Sequence, residues 1–291
     1  MTKTMKFLCA LAVSAFTGFN AQCLTVNVAP NGDIQAAINS VSAAGGGTVN
    51  ISAGTATLTT GLVMASNVTL SGAGTPATTL NLSSSITTAG ISTPGTAWSN
   101  ITVENIKVQG AGTTVEQNGV DMSVGTSSDS GGGASNVQAL NTGYDAYKLL
   151  TNDGSVVSCN FHNSGLSDYY HCMYFLGGSS TVISGCTMNN SPYGSGLHVN
   201  NWAAVDGGES LNNTTSGNGQ NGHSFTASTG DTFIDYTING CTADDNGFAY
   251  TTGGEYGFCL DSGSGTIENC TATGNRTANY YDGAFTSINN H

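Results

Sequence analysis

The chain has 291 residues, enough for one large domain or two small ones, with 41 Gly and only 8 % charged residues. Lys and Arg number 5 against 18 Asp and Glu, and phosphate recognition needs clustered Lys/Arg, so nucleic acid is excluded as a partner. No Gly-X-Y period and no sustained heptad are present, which excludes collagen and coiled coil. A Gly/Ser/Thr/Asn-rich chain with many short β-branched runs predicts an all-β, repetitive fold.

Taken from the N-terminus, Lys3 and Lys6 precede a short apolar run, Phe7 to Phe16, followed by small residues. This is the pattern of a secretory signal peptide over residues 1–21, with cleavage near Ala21. No later segment approaches the ~18 apolar residues of a membrane span, so a secreted chain with no membrane partner after cleavage is expected. Lys107, Lys148 and Arg276 would be its only basic residues, and against 18 acidic ones they leave a formal charge of −15.

Residues 24–291 read as one domain. Ile34 to Val41 has apolar residues at helical spacing behind Asn31 to Asp33, which offer an N-cap. Gly45 to Gly47 ends that helix, and Thr48 to Ile51, Thr57 to Thr60 and Asn67 to Leu70 look like strands. A helix there would cap the open end of a solenoid.

A repeat follows. Val157-Ser-Cys159, Ile183-Ser-Gly-Cys186-Thr, Ile238-Asn-Gly-Cys241-Thr and Ile267-Glu-Asn-Cys270-Thr share a slot, and Ser210, Ile106 and Val137 are placed in it too. The spacings of 31, 22, 27, 24, 31 and 29 residues suit single coils of a parallel β-helix, whose short strands stack at ~4.8 Å. Cys at that slot predicts a column of small buried side chains; inter-coil disulfides are the alternative. Counting back 12 residues from the slot gives Tyr147, Tyr174, His198 and Phe258, with Phe225 as the equivalent on a longer coil. The other parity gives Lys148, Phe175, Val199 and Cys259. The second set is mostly apolar, so the first is expected to face outward.

The segments Asp33-Ile-Gln-Ala-Ala-Ile38, Gly45-Gly-Gly-Thr-Val49, Ala53-Gly-Thr55 and Asn67-Val-Thr-Leu-Ser-Gly-Ala-Gly74 resemble the opening of pectin-lyase-fold proteins. The similarity is greatest to mannuronan C5-epimerases and related alginate and pectate lyases. Asn221-Gly-His-Ser-Phe225 and Asp245-Asn-Gly247 resemble coil turns of that group. The resemblance implies a single-stranded right-handed parallel β-helix and an extended polysaccharide as partner. The epimerases carry a compact Asp-Pro-His signature with a nearby Tyr. Asp168 and His171 match its acid and histidine, and Tyr169 or Tyr170 its aromatic, although here two tyrosines separate Asp from His and the proline is absent.

The implied chemistry is abstraction of a uronate C5 proton, which needs a base and neutralisation of the adjacent carboxylate. Expulsion of the 4-O group then gives a lyase, and reprotonation from the other face an epimerase. Tyr174, His171, His198, Asp168 and Tyr170 are the catalytic candidates. Lys148, Tyr147, Asn200 and His223 are the candidate substrate contacts, Lys148 for the carboxylate. Because a chain of charge −15 repels a polyuronate, Ca²⁺ is considered as a bridge, with Asp145, Asp244 and Asp245 offering hard oxygen ligands. Two other classes stay open: a glycoside hydrolase on a neutral glycan, using two of Asp206, Glu209 and Asp231, and a non-catalytic glycan-binding or adhesin-type β-helix.

Overall fold

The computed structural model describes residues 23–291 except 127, 201–204, 227–232, 250–254, 262, 282 and 284. The expected signal segment, 1–21, lies outside the described residues, as does Asp231. Short strands wind into three parallel sheets of eleven, nine and nine strands, with a separate two-stranded pair, Val205–Asp206 with Phe233–Ile234. We call the long sheets A, B and C, in the order in which each coil crosses them. Sheet A begins at Leu24–Val28 and ends at Thr286–Ile288, sheet B runs from Gly54–Leu58 to Thr271–Thr273, and sheet C from Leu62–Val63 to Ala278–Tyr281. Pairing is parallel throughout, as the repeat predicts.

Alternation along each strand decides which side chains line the core. On sheet A, Val103, Ala134, Val156, Ile183, Ser210 and Ile238 stack inward coil on coil. Most strands bury only one or two apolar side chains, worth roughly 1.5–3 kcal/mol apiece, too little to hold a coil alone. Stacking joins these contributions into one continuous core.

The helix Ile34–Ala43 forms where the apolar spacing predicts it. The Asp33 side chain caps it by accepting from the Ala36 N–H at 2.8 Å. Its buried face, Ile34, Ala37, Ile38 and Val41, covers the core at the first coils. Gly46, at φ 121°, follows; an added Cβ there would lie 2.6 Å from the Asn67 carbonyl oxygen, so the exit from the helix admits no side chain.

The repeat signature is the corner between sheets A and B. Asn105, Asn136, Ser158, Gly185, Asn212, Gly240 and Asn269 all have left-handed φ, between 51° and 65°, a conformation that Gly and Asn tolerate best. The residue after each turns inward. Its side chain accepts from the equivalent N–H on the preceding coil: the Val137 N–H donates to Cys159 Sγ (3.5 Å), Cys186 N–H to Asn213 Oδ1 (2.8 Å), Asn213 N–H to Cys241 Sγ (3.4 Å) and Cys241 N–H to Cys270 Sγ (3.3 Å). The cysteines are buried free thiols. Ser210 does not occupy this slot. It pairs with Ile183 and Ile238 in the middle of sheet A, and Asn213 takes the corner.

That correction moves the site register. From the inward residue of sheet C to the corner, the connector spans 12 positions from Tyr147 to Cys159, 13 from Met173 to Cys186, 16 from Leu197 to Asn213, 18 from His223 to Cys241 and 12 from Phe258 to Cys270. Counting back a constant 12 therefore slips the parity. Tyr147 and Phe258 point into the core, fully buried, and Phe225 with them. Lys148 and Cys259 stand on the outer parity, paired with Tyr174 and Ser224. Phe175 and Val199 are inward as expected.

Candidate functional site on sheet C

The outer column of sheet C runs Asp121, Lys148, Tyr174, His198, Ser224, Cys259, one residue per coil. Lys148 Nζ lies 5.8 Å from the centre of the Tyr174 ring, a cation–π distance. Asn200, two positions beyond His198, donates from Nδ2 to the Tyr174 hydroxyl at 3.4 Å. His198 Nε2 meets Thr226 Oγ1 at 3.2 Å, while its Nδ1 is buried without a partner.

A second column forms the corner just before sheet C. At Asn118, Asp145, His171, Ser195 and Asn221 a polar residue is followed by a small residue or Cys and then by the inward residue of the strand. Side chains here cap the next coil. Asn118 Oδ1 accepts from the Asp145 N–H (3.0 Å), Asp145 Oδ1 from the His171 N–H (2.7 Å), His171 Nδ1 from the Ser195 N–H (3.0 Å) and Asn221 Oδ1 from the Tyr256 N–H (2.7 Å). The bond at His171 Nδ1 places the ring proton on Nε2.

The two columns meet at the histidines. His171 and His198 stack at 4.3 Å with planes 9° apart, and Tyr174 presents its edge to both, at 5.3 and 5.2 Å between ring centres. Burial, then the neighbouring His198, holds the His171 pKa well below the usual imidazole value, and burial pushes His198 down to about 4. Both rings are thus neutral at pH 7; His171 accepts from Ser195 at Nδ1 and carries its proton on Nε2, so His198 is the ring with a lone pair to take a proton. Burial raises the Asp145 carboxyl to about 7, opposed by the His171 N–H and Lys148 and aided by Asp121. Asp121 is fixed by the Asn118 amide (3.0 Å) and by the Ser123 N–H (2.9 Å) and hydroxyl (2.5 Å).

Of the expected residues, the structure therefore gathers Tyr174, His171, His198, Lys148 and Asn200 on one face. It does not place Tyr147 or His223 there. Tyr147 sits in the core, its hydroxyl on Met122 Sδ at 3.0 Å, and His223 is buried inward, stacked on Phe258 at 4.7 Å. Asp168 and Tyr170 lie in the turn between sheets B and C. Tyr170 stacks on Tyr144 at 4.2 Å, and among the described residues no hydrogen bond joins either to the His171 side chain. The Asp-to-His segment divides, and only His171 enters the cluster.

Asp145, Asp244 and Asp245 do not converge. The first is a rung of the corner column, whereas Asp244 lies several coils away and is hydrogen-bonded by Thr273. Among the described residues no group of three or more His, Cys, Asp or Glu is placed to hold a metal ion. Asp206 and Glu209 stand apart from sheet C, in the two-stranded pair and in sheet A. Cavities of about 310 Å³ open beside the capping helix and on sheet A around Gly131 to Gly133, but each holds one carboxylate, Asp33 or Asp153, and no acid–base pair. The residues missed from sequence are Asp121, Asp145 as an acid, and Ser195. The polar–small–apolar triplets starting at 118, 145, 171, 195 and 221 carry the signal that finds the last two.

No family model matches the chain, and no curated protein matches it in sequence. Solved structures do. ORF18 of Geobacillus virus E2 aligns with 91 % of this chain at 17 % identity and a TM-score of 0.54, the chain spanning 60 % of that protein. PfbA, a surface adhesin of Streptococcus pneumoniae, aligns with 89 % of this chain and 76 % of its own at 14 % identity, TM-score 0.65. Polygalacturonase from Erwinia carotovora ssp. carotovora aligns with 87 % and 77 %, at 12 % identity and TM-score 0.59.

The fold is the right-handed β-helix of the pectin-lyase type. Identities this low show the fold alone, and this β-helix architecture is shared here by a surface adhesin and a polygalacturonase.

Proposed function

We propose that the β-helix is an exported carbohydrate-active enzyme that takes the C5 proton from a uronate in an extended polysaccharide. The observation that carries this reading is the column Lys148–Tyr174–His198 with His171 stacked against it. Abstraction at C5 requires a charge opposite the carboxylate, an uncharged base and a proton donor within one sugar's reach. Lys148 supplies the charge. The neutral His198 imidazole supplies the base, with His171 stacked on it, and the Tyr174 hydroxyl, held by Asn200, supplies a proton to the 4-oxygen or to the opposite face of C5. The first outcome is β-elimination and the second epimerisation.

A hydrolase is the second reading, favoured by one observation. Asp145 is a buried carboxyl raised to about 7 beside the carboxylate-bearing Asp121, and two carboxyls in unlike surroundings are the acid–base pattern of glycosidases.

The test is incubation of the purified protein with alginate blocks, pectate and neutral glycans. Ultraviolet absorbance reports an unsaturated uronate, proton NMR epimerised sugars, and a reducing-end assay hydrolysis. The proposal expects absorbance or NMR change that His198→Ala lowers by about 10²–10⁴-fold, the usual worth of a general acid or base. New reducing ends without unsaturation, abolished by Asp145→Asn, would transfer the site to the hydrolase reading.

A further inference from the structure

The surface around the site narrows the substrate. We infer that its polymer carries isolated uronates, each flanked by neutral sugars, instead of a carboxylate on every residue. The inference rests on the sheet C reading and deepens it.

Two observations point the same way. The first is charge. Lys148 is the one cation on sheet C among the described residues. Lys107 belongs to sheet B, and Arg276 faces Glu255 at 3.8 Å. On the coils either side of Lys148 the outer column offers Asp121 and the uncharged Tyr174. A homopolyuronate binding along the column would set its next carboxylate against Asp121 in one direction and against neutral rings in the other. A single carboxylate meets Lys148 and leaves an uncharged sugar opposite Asp121.

The second is an aromatic ridge. The turn between sheets B and C carries Tyr144, then Tyr170 stacked on it with Tyr169 alongside, then Tyr193, and farther along Phe248. Tyr169 is 76 % exposed, Tyr193 48 % and Phe248 56 %. Exposed rings repeated at one turn of a solenoid do not serve the core. They offer flat apolar faces beside sheet C, suited to the C–H faces of uncharged pyranoses and poorly suited to carboxylates.

The test compares hyaluronan, in which glucuronate alternates with N-acetylglucosamine, with polygalacturonate. Retardation in polymer-containing gels reads binding, and the assays above read turnover. Hyaluronan should bind at least tenfold more tightly at low salt. Tyr193→Ala and Phe248→Ala should each weaken its binding by about fivefold with the thermal melt unchanged, since an exposed-ring contact is worth about one factor of ten or less. Equal or tighter binding of polygalacturonate overturns the inference, as does binding of neither polymer or indifference to both ring substitutions. The two readings fail separately. Ring-dependent binding of hyaluronan with no bond changed sinks the proton-abstraction chemistry and keeps the selectivity. Faster turnover of polygalacturonate keeps the chemistry and sinks the selectivity.

Discussion

Tyr174→Phe keeps the ring that meets both imidazoles and deletes only the hydroxyl held by Asn200. It should lower kcat by about 10²-fold or more with KM little changed if the hydroxyl moves a proton, and a rise in KM alone would make it a sugar contact. His223 gives a pH prediction. Burial lowers it to about 4, so between pH 4 and 6.5 the unfolded chain binds the proton and the folded one does not. Its contribution to stability is therefore lost as pH falls through that window, and His171 and His198 add to the same slope. Asp145 acts oppositely, favouring the fold at low pH and losing that as pH rises towards about 7. Four imidazoles, the half-buried His162 included, against one carboxyl predict a melting temperature that rises from pH 4.5 to 6.5. His223→Phe, which can keep the stack on Phe258, should flatten part of that rise. At this scale the sequence was half legible. Tyr174, His198 and His171 stood out by residue type, but Lys148 and Tyr147 exchange faces with a one-residue slip, because strand parity has a period of two and nothing local marks the connector's length.

At the scale of the element, the corner before sheet C explains why His171 and Asp145 are where they are. Each side chain satisfies a backbone N–H of the next coil that would otherwise be buried unpaired. Asp145→Asn retains an oxygen for the His171 N–H and should fold normally while losing the carboxyl's pH dependence in thermal melts. Asp145→Leu strands that N–H and should cost about 1–3 kcal/mol in denaturant unfolding. The helix was legible to within two residues, since a 3.6-residue apolar period and an Asp cap are local signals. Ile38→Ala at its buried face should cost about 2–5 kcal/mol, measured the same way. The Cys corner was legible for the same local reason, a turn residue followed by an inward one. Ser210 was misplaced in it because the coil it belongs to bears Asn213, not Cys, at that corner.

At the scale of the molecule, the excess of 18 acidic over 5 basic residues sets how any anionic polymer approaches. The net field repels it, and only the short-range meeting with Lys148 attracts. Added salt shortens the Debye length from about 10 Å at 0.1 M to about 3 Å at 1 M, so it screens the distant repulsion more than the contact pair. KM for a uronate polymer should accordingly fall as salt rises, the reverse of a groove lined with Arg and Lys, and a KM that climbs with salt would contradict this account. The repeat made the solenoid legible because every coil solves the same burial problem.

The unequal connectors between sheets C and A separate two tasks that most active sites entangle. Hydrogen-bonded pairing fixes the rows on sheet C regardless of how much chain is spent before the next corner. Peptide can be spliced into a connector, and a grafted loop can raise a wall beside sheet C, while Lys148, Tyr174 and His198 keep their spacing. Whole coils can likewise be traded as cassettes, advancing the outer rows of sheet C by one rung of ~4.8 Å at a time.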